Sequence, residues 1–225
     1  MTHSFPAPVH HVIEADATPP QPWKNGGGQT RELLAWPSPA DWVLRISRAD
    51  IAADGPFSAF AGVQRWMVVL QGTGIRLHFD DGTRQLTPGD APLHFDGALA
   101  PGCSLMQGPT QDLNFMLRAS QGCMLPVDAG RHWTPQHRIA ALYTREAGTW
   151  HGGKQTVRLP AHSLLWCELP PPGTEHAPAV WRFEPEHADH PAAPGEPGAP
   201  SAWWMGCTPD TALPASPQPS PSPAP

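Results

Sequence analysis

Short apolar stretches separated by turn residues make up most of the chain between residues 19 and 160. Stretches 42–48, 66–70, 74–79 and 113–117 have the length of strands, are rich in β-branched or large apolar residues, and are bounded by turn signals. Asp81-Gly82 predicts a hairpin turn between two of them, because glycine supplies the positive φ that such turns need. In no window do apolar residues recur with the helical period of about 3.6 residues over a stretch long enough to predict a helix. The pattern predicts an all-β body, built as a sandwich or barrel.

A second set of strand-length stretches follows at 139–143, 148–150, 156–159 and 164–169, with Gly152-Gly153 as a turn. The two sets are similar in style but show no clean sequence repeat. From Pro170 onward, proline, alanine, glutamate and histidine dominate, although Trp181, Phe183 and the Trp203-Trp204 pair remain able to dock on the body. From about residue 208 the chain reads as a proline-rich disordered tail, because it has little to bury.

Composition narrows the class of protein. The chain has 225 residues, 31 of them proline and 21 glycine, yet 40% are hydrophobic and the net charge is only −6, which excludes a fully disordered chain. A mildly acidic chain without a basic cluster argues against nucleic acid as a partner. No apolar run is long enough to span a bilayer, and the N-terminus lacks the pattern of a secretory signal. Four cysteines far apart in the sequence favour reduced thiols. We therefore expect a cytoplasmic protein that does not bind membranes.

The densest motif occupies residues 22–32, which read Pro-Trp-Lys-Asn-Gly-Gly-Gly-Gln-Thr-Arg-Glu. Three consecutive glycines indicate a tight loop, or a loop whose backbone approaches a ligand closely. Lys24, one of only two lysines in the chain, stands directly before them, and Thr30 and Arg31 follow. An ammonium, a guanidinium and free N–H groups in one segment suit an anionic oxygen ligand such as a carboxylate. A plain strand connection with surface charges is the alternative.

This motif resembles the opening of the HutD/Ves family. The resemblance continues in order through Leu-Arg-Ile-Ser at 44–47, residues 52–66, Leu-x-Gly-x-Gly at 70–74, Pro-Gly-Asp at 88–90 and residues 108–116. It implies a bicupin fold of two fused cupin-like β-barrels. It also implies a small-molecule-binding protein that modulates histidine utilisation, with N-formylglutamate as the leading candidate ligand. We expect a first cupin-like half at 1–118, a second at 119–207 with divergent loops, and the tail at 208–225.

A metal is not expected, and neither is any other cofactor. Cupins commonly hold a metal through two histidines and a glutamate before the strand that ends in Leu-x-Gly, and the corresponding stretch 57–65 contains neither residue type. Arg65 stands near the place of a ligand carboxylate. A cationic group there would repel a divalent ion and attract an anion.

Strand alternation selects the side chains that would face a ligand. In the stretch 42–48, Arg45 and Ser47 share one face and are expected to line the barrel, whereas Arg48 is expected to point outward. Asp112 and Asn114 share a face of their strand. Asn114 can both donate to and accept from a carboxylate or formamide. Asp112 needs a cationic partner, with Arg45 or Arg31 as natural choices, and its expected task is to orient an arginine.

The candidate ligand-binding residues are therefore Lys24, Asn25, Thr30, Arg31, Arg45, Ser47, Phe57, Arg65 and Asn114, with Asp112 behind them. Two further functions stay open beside carboxylate binding. One is a metal-independent isomerase or hydrolase using Lys24 or Asp112 as acid or base, which would require burial to lower the pKa of Lys24. The other is an interaction module working through the Ser-Pro-rich tail. A homodimer is possible.

Overall fold

A computed structural model describes residues 8–170, 180–186 and 200–210, and within these ranges the protein is built of antiparallel strands. A single-turn 3-10 helix, Gly97–Leu99, is the helical element of the described ranges. The strands, in chain order, are β1 (His11–Glu14), β2 (Gln21–Pro22), β3 (Gly28–Trp36), β4 (Leu44–Ile51), β5 (Gly55–Pro56), β6 (Val63–Gln71), β7 (Ile75–Phe79), β8 (Gly82–Leu86), β9 (Leu93–Asp96), β10 (Gly102–Leu105), β11 (Thr110–Arg118), β12 (Ser120–Pro126), β13 (Ile139–Thr144), β14 (Gly148–Gly152), β15 (Gln155–Leu159), β16 (Ser163–Glu168), β17 (Trp181–Pro185) and β18 (Ala202–Pro209). The all-β prediction is confirmed.

The strands form four sheets that stack in layers. The four-stranded sheet (β5-β10-β7-β8) faces the six-stranded sheet (β2-β3-β4-β11-β6-β9), and three apolar clusters fill the spaces between successive layers. The other face of the six-stranded sheet packs on the five-stranded sheet (β1-β16-β13-β18-β12), which in turn covers the three-stranded sheet (β15-β14-β17). In the described ranges the strand orders are open, so closed barrels remain a prediction.

Strand order reveals an internal repeat that the sequence did not show. In the six-stranded sheet β4, β11, β6 and β9 are neighbours in that order, and in the five-stranded sheet β12, β18, β13 and β16 repeat it. The outer sheets repeat as well, since β10-β7-β8 corresponds to β17-β14-β15. Along the chain, β4 and β6–β11 form the first run of seven strands, and β12–β18 form the second. The two halves of the protein therefore connect the strands of their two layers in the same order.

Alternation along β4 determines which side chains point to each side of the six-stranded sheet. Leu44 and Ile46 belong to the cluster between the six- and five-stranded sheets, while Arg45 and Ser47 face the four-stranded sheet. Arg48 shares the face of Leu44 and Ile46, but it does not point outward. Its side chain is only 4% exposed, and its Nη2 lies 2.7 Å from Asp16 Oδ1. The outward expectation was wrong because that face is covered by the five-stranded sheet.

Aromatic side chains fill the interior of the second half. Trp150, Trp181 and Phe183 are fully buried between the five- and three-stranded sheets. Trp204 stacks on Trp133 with ring centroids 5.0 Å apart. The expectation that Trp181, Phe183, Trp203 and Trp204 dock on the body is confirmed, because all four are buried. The corresponding space in the first half is only partly filled, which leaves room for a cavity there.

Both ends of the described chain join the five-stranded sheet. β1 pairs with β16, so the first described strand lies beside strands of the second half. β18 pairs with β12 and continues through Thr208 to Pro209, the first two residues of the predicted tail. Residues 211–225, the rest of that tail, lie outside the described residues. The predicted boundaries at 118 and 207 stay predictions.

Candidate functional site

A cavity of about 730 Å³ opens between the six- and four-stranded sheets of the first half. Strands β3, β4, β6 and β11 direct alternate side chains into it, and the residues around β2 and β5 form its walls. Its lining residues are Gln21, Trp23, Lys24, Asn25, Thr30, Arg45, Ser47, Ala49, Pro56, Phe57, Ser58, Phe60, Arg65, Asn114 and Met116. The charged members of this set, Lys24, Arg45 and Arg65, are all cationic. The cavity therefore presents positive charge to a ligand.

Eight of the nine predicted ligand-binding residues lie in this lining, and Arg31 is the exception. Arg31 pairs with Arg48 across β3 and β4, so its side chain leaves the opposite face of the sheet. Its Nη1 donates a 2.5 Å hydrogen bond to the backbone oxygen of Thr18. Arg31 therefore does not reach the cavity: Thr30 and Arg31 are neighbours within β3, and neighbouring residues of a strand point to opposite faces.

Arg65 forms the floor of the cavity together with Asn114. Its Nε donates to Asn114 Oδ1 at 2.8 Å and its Nη2 donates to the same oxygen at 2.5 Å. Asn114 in turn donates from Nδ2 to Asp112 Oδ1 at 2.8 Å. The three residues come together because β11 lies directly beside β6, with Asn114 opposite Met67 and Met116 opposite Arg65. All three side chains are buried.

Asp112 is connected to an arginine through Asn114, and this arginine is Arg65. Arg45 and Arg31, the expected partners, are engaged elsewhere. Asp112 itself does not belong to the lining, because Asn114 stands between it and the cavity. The sequence does not reveal this pairing, since it depends on the register between β11 and β6 rather than on spacing along the chain.

Burial shifts the proton affinities of this group. Desolvation raises the pKa of Asp112 to about 7, against the opposing effects of Arg65 and of the Asn114 hydrogen bond. Desolvation lowers the pKa of Arg65 to about 10, with Asp112 acting in the other direction. The Cys103 thiol, which faces both from β10, has its pKa raised to about 12 by burial and by Asp112. At neutral pH, Arg65 is charged and Cys103 is neutral, whereas burial favours the protonated form of Asp112.

Two aromatic rings complete the surroundings of Arg65. Its guanidinium carbon lies 4.5 Å from the ring centroid of Phe57 and 5.4 Å from that of Phe95. Such cation–π contacts hold the guanidinium plane without consuming its hydrogen-bond donors. Among the described residues, Nη1 of Arg65 makes no hydrogen bond. The guanidinium is therefore fixed in place with donor capacity left over.

Arg45 and the glycine loop form the upper part of the site. Arg45 Nε lies 2.7 Å from Glu32 Oε2, an ion pair that the sequence did not predict because it depends on the register between β3 and β4. Lys24 is exposed at the rim, which removes the burial that a catalytic lysine would need. The sequence could have indicated Glu32, because it follows Thr30 by two residues and therefore lies on the same face of the strand.

The three glycines form a tight turn whose backbone groups are used within the protein. Gly26 donates to the Trp23 carbonyl at 3.0 Å, and the Gly27 carbonyl accepts from the amides of Ala52 and Ala53. Asn25 Oδ1 accepts from the Gly27 amide at 3.0 Å. A Cβ on Gly28 would lie 2.4 Å from the Asp50 carbonyl oxygen. The glycines therefore serve the close packing of this turn against β4 and the residues that follow it, and they hold Lys24 and Asn25 at the rim.

Several residues that the sequence did not single out also shape the cavity. Trp23 donates from Nε1 to Thr30 Oγ1 at 2.8 Å, and its ring meets Phe57 edge-on at 6.2 Å. Phe60 and Met116 add apolar surface. In the part of the chain that the structure describes, no three His, Cys, Asp or Glu side chains come together as metal ligands. Within the same ranges no helix is long and apolar enough to cross a membrane.

Comparison with known proteins identifies the fold and the family. An oxalate decarboxylase has a similar fold at 10% identity, with a TM-score of 0.55 over 91% of this chain and 78% of that one. The fold is thus all-β and cupin-like. The HutD family model matches residues 15–178, which is well over half of the chain. The protein belongs to the HutD family.

Individual relatives agree with this assignment. Protein Ves of Citrobacter koseri is 30% identical over 65% of this chain and 87% of its own length. An uncharacterized protein from the hutC 3' region of Pseudomonas putida is 41% identical over 47% of this chain, and the match spans only 56% of that relative. HutD from Pseudomonas fluorescens SBW25, solved in a formate condition, has a TM-score of 0.71 at 24% identity over 89% of this chain and 98% of that one.

Proposed function

We propose that the protein binds a small carboxylate in the first-half cavity and thereby modulates histidine utilisation. The observation that carries this proposal is the buried Arg65, held by Asn114 and Phe57 with Nη1 left for a ligand. A guanidinium with fixed geometry is well suited to a carboxylate, because it donates directed hydrogen bonds as well as charge. The family membership and the hutC-region relative support the link to histidine utilisation. The repeated strand order supports two cupin-like halves fused in one chain.

N-formylglutamate is the leading candidate ligand, because it carries two carboxylates and a formamide. Arg65 is buried at the floor and Lys24 is exposed at the rim, so the cationic groups stand at different depths. A ligand with two anionic ends can contact both, whereas formate can contact one. Ser47 and Thr30 add hydroxyl groups to the same lining, suited to hydrogen bonds with a formamide.

Catalysis is the weaker alternative. A metal-independent enzyme would need an acid or base in contact with the ligand, and both candidates lack that position. Lys24 is exposed, and Asp112 lies behind Asn114 rather than in the lining. The serines of the lining, Ser47 and Ser58, have no histidine beside them among the described residues, so a nucleophile–base pair is absent there. Binding without turnover is the function that these side chains suit.

Isothermal titration calorimetry with N-formylglutamate, urocanate and formate tests the proposal. Wild-type protein should bind N-formylglutamate more tightly than formate. Arg65→Met should weaken the binding by about 30-fold or more, since loss of a buried ionic contact costs roughly 2–5 kcal/mol. Arg76→Met is the matched control, because Arg76 is an exposed arginine on β7 outside the cavity lining. Absence of heat with all three compounds, in protein shown to be folded by circular dichroism, would rule the proposal out.

A further inference from the structure

Asp112, Asn114 and Arg65 form a relay in which the charge of one end affects the other. An ionised carboxylate only accepts hydrogen bonds, so Asp112 turns the amide nitrogen of Asn114 toward itself and the amide oxygen toward Arg65. Arg65 therefore interacts with two groups behind the cavity wall, the partly negative amide oxygen of Asn114 and the carboxyl group of Asp112. A ligand carboxylate would approach the same guanidinium from the cavity side and compete with Asp112 for it.

We propose that a carboxylate binding at Arg65 is accompanied by uptake of a proton at Asp112, which makes binding tighter as the pH falls through neutrality. This inference rests on the proposed function. The physical cause is repulsion between two carboxylates that share one buried guanidinium. When Asp112 takes up a proton, the repulsion disappears and the full charge of Arg65 becomes available to the ligand. The proton comes from solvent and returns there when the ligand leaves.

Among the described residues of this cluster, Asp112 is the group whose pKa lies near neutrality. From β6, Arg65 has a pKa of about 10, and from β10, Cys103 has a pKa of about 12, so neither changes charge between about pH 6 and 8. Asp50 of β4 lies on the opposite face of the sheet, where hydrogen bonds from Gln111 and Gln29 hold its pKa below the ordinary carboxyl value. Asn114 and the Ala49 backbone do not titrate.

Arg45 is a further charged neighbour of the relay. Arg45 contributes to the environment of Arg65 from β4, where it forms its ion pair with Glu32. None of the cavity-lining residues is a histidine. Burial raises the pKa of Asp112 to about 7, so its carboxyl group can still take up a proton near neutral pH. A ligand that raises this pKa further takes up a fraction of a proton.

Calorimetry with N-formylglutamate, and in a second series with formate, measures this uptake. Both ligands stay ionised between about pH 6 and 8, because their carboxyl groups titrate near pH 4. Titrations at pH 7 in phosphate and in Tris, whose ionisation enthalpies differ, give the number of protons exchanged. Wild-type protein should take up about 0.3 to 0.5 proton per ligand, and its affinity should fall about five- to tenfold from pH 6 to pH 8.

Asp112→Asn keeps the shape of the side chain and removes the titrating group. Its affinity should vary less than about twofold over the same range, with no proton exchanged. Asp80→Asn, in the exposed β7–β8 turn, is the matched control and should behave like the wild type. If Asp112→Asn does not fold, the wild-type proton count decides alone. Binding without proton uptake and with constant affinity overturns this inference but leaves the proposed function intact, whereas absence of binding overturns both.

Discussion

Asn114 Oδ1 accepts two hydrogen bonds from Arg65, one from Nε and one from Nη2. One neutral acceptor thus holds two charged donors, and both residues are buried. The pair fixes the angle at which the guanidinium faces the cavity, and Asp112 fixes the amide from behind. The anion-binding character of the cavity therefore depends on a side chain, Asn114, that carries no charge.

Replacing Asn114 should cost stability because it leaves the buried donors of Arg65 without an acceptor. We expect Asn114→Leu to lower the free energy of unfolding by about 2–3 kcal/mol, the cost of a buried donor on a charged group that loses its partner. Urea denaturation without ligand measures the loss. Gln85→Leu, at an exposed position of β8, should change the stability by less than about 0.5 kcal/mol. Equal effects of the two substitutions would contradict this assignment.

Phe57 should contribute more through its cation–π contact than a similar pair at a more exposed position. Arg65 lies 4.5 Å from the Phe57 ring centroid in the interior, and Arg84 lies 4.4 Å from Phe79, with the Arg84 side chain 38% exposed. The distances match, but desolvation strengthens the first contact to about 2 kcal/mol against about 0.5–1 for the second. Double-mutant cycles with Phe→Leu and Arg→Met at each pair measure the coupling. Equal coupling energies would show that burial adds nothing.

The glycine loop gives a prediction that separates steric from conformational requirements. Gly28→Ala should destabilise the protein by about 2 kcal/mol or more, because the new Cβ would lie 2.4 Å from the Asp50 carbonyl oxygen, which belongs to a strand and cannot yield easily. Gly26 has a φ of +73° with open space around it, so Gly26→Asn should be tolerated, since asparagine adopts this conformation. Thermal denaturation of both variants tests the distinction. Loss of stability in Gly26→Asn alone would contradict it.

The sequence predicted the elements and the cavity-facing side chains better than it predicted their partners. Alternation along β4 placed Arg45 and Ser47 correctly, because period-two exposure is a property of the strand alone. Arg31 does not reach the cavity by the same rule, since it and Thr30 are neighbours within β3 and point to opposite faces. The partner of Asp112 could not be predicted, because pairing of β11 with β6 is a long-range register that sequence spacing does not specify.

Arg48, which lies away from the cavity, also shows that a strand pattern does not predict the partner of a charged side chain. A strand pattern assigns Arg48 to the face opposite Arg45, but it does not predict what covers that face. The cover is the five-stranded sheet, and β1 in the same sheet leads into the loop that carries Asp16, the ion-pair partner of Arg48. The internal repeat was invisible for a related reason. It lies in the order of strands, which different side chains can produce, rather than in similar sequence.

The raised pKa of Asp112 should appear in the pH dependence of stability, and the sign follows from linkage. In the unfolded chain the carboxyl titrates near pH 4, whereas in the folded protein its pKa is about 7. Between these values the folded state holds the proton and the unfolded state does not, so the contribution of Asp112 to stability, fully present below about pH 4, is lost as the pH rises to about 7. Asp112→Asn removes this dependence. Relative to the wild type, the variant should gain on the order of 2–4 kcal/mol between about pH 4.5 and 7.5.

The difference between the two proteins is the quantity to measure, because other groups shift the absolute profile. Burial lowers the pKa of His162 and His137, which adds stability as the pH rises through about 6.5. The same effect is present in both proteins and cancels in the difference. Urea denaturation at closely spaced pH values, with Asp80→Asn as a surface control, gives the curves. A difference between wild type and Asp112→Asn that stays constant with pH would mean that Asp112 remains ionised in the folded protein.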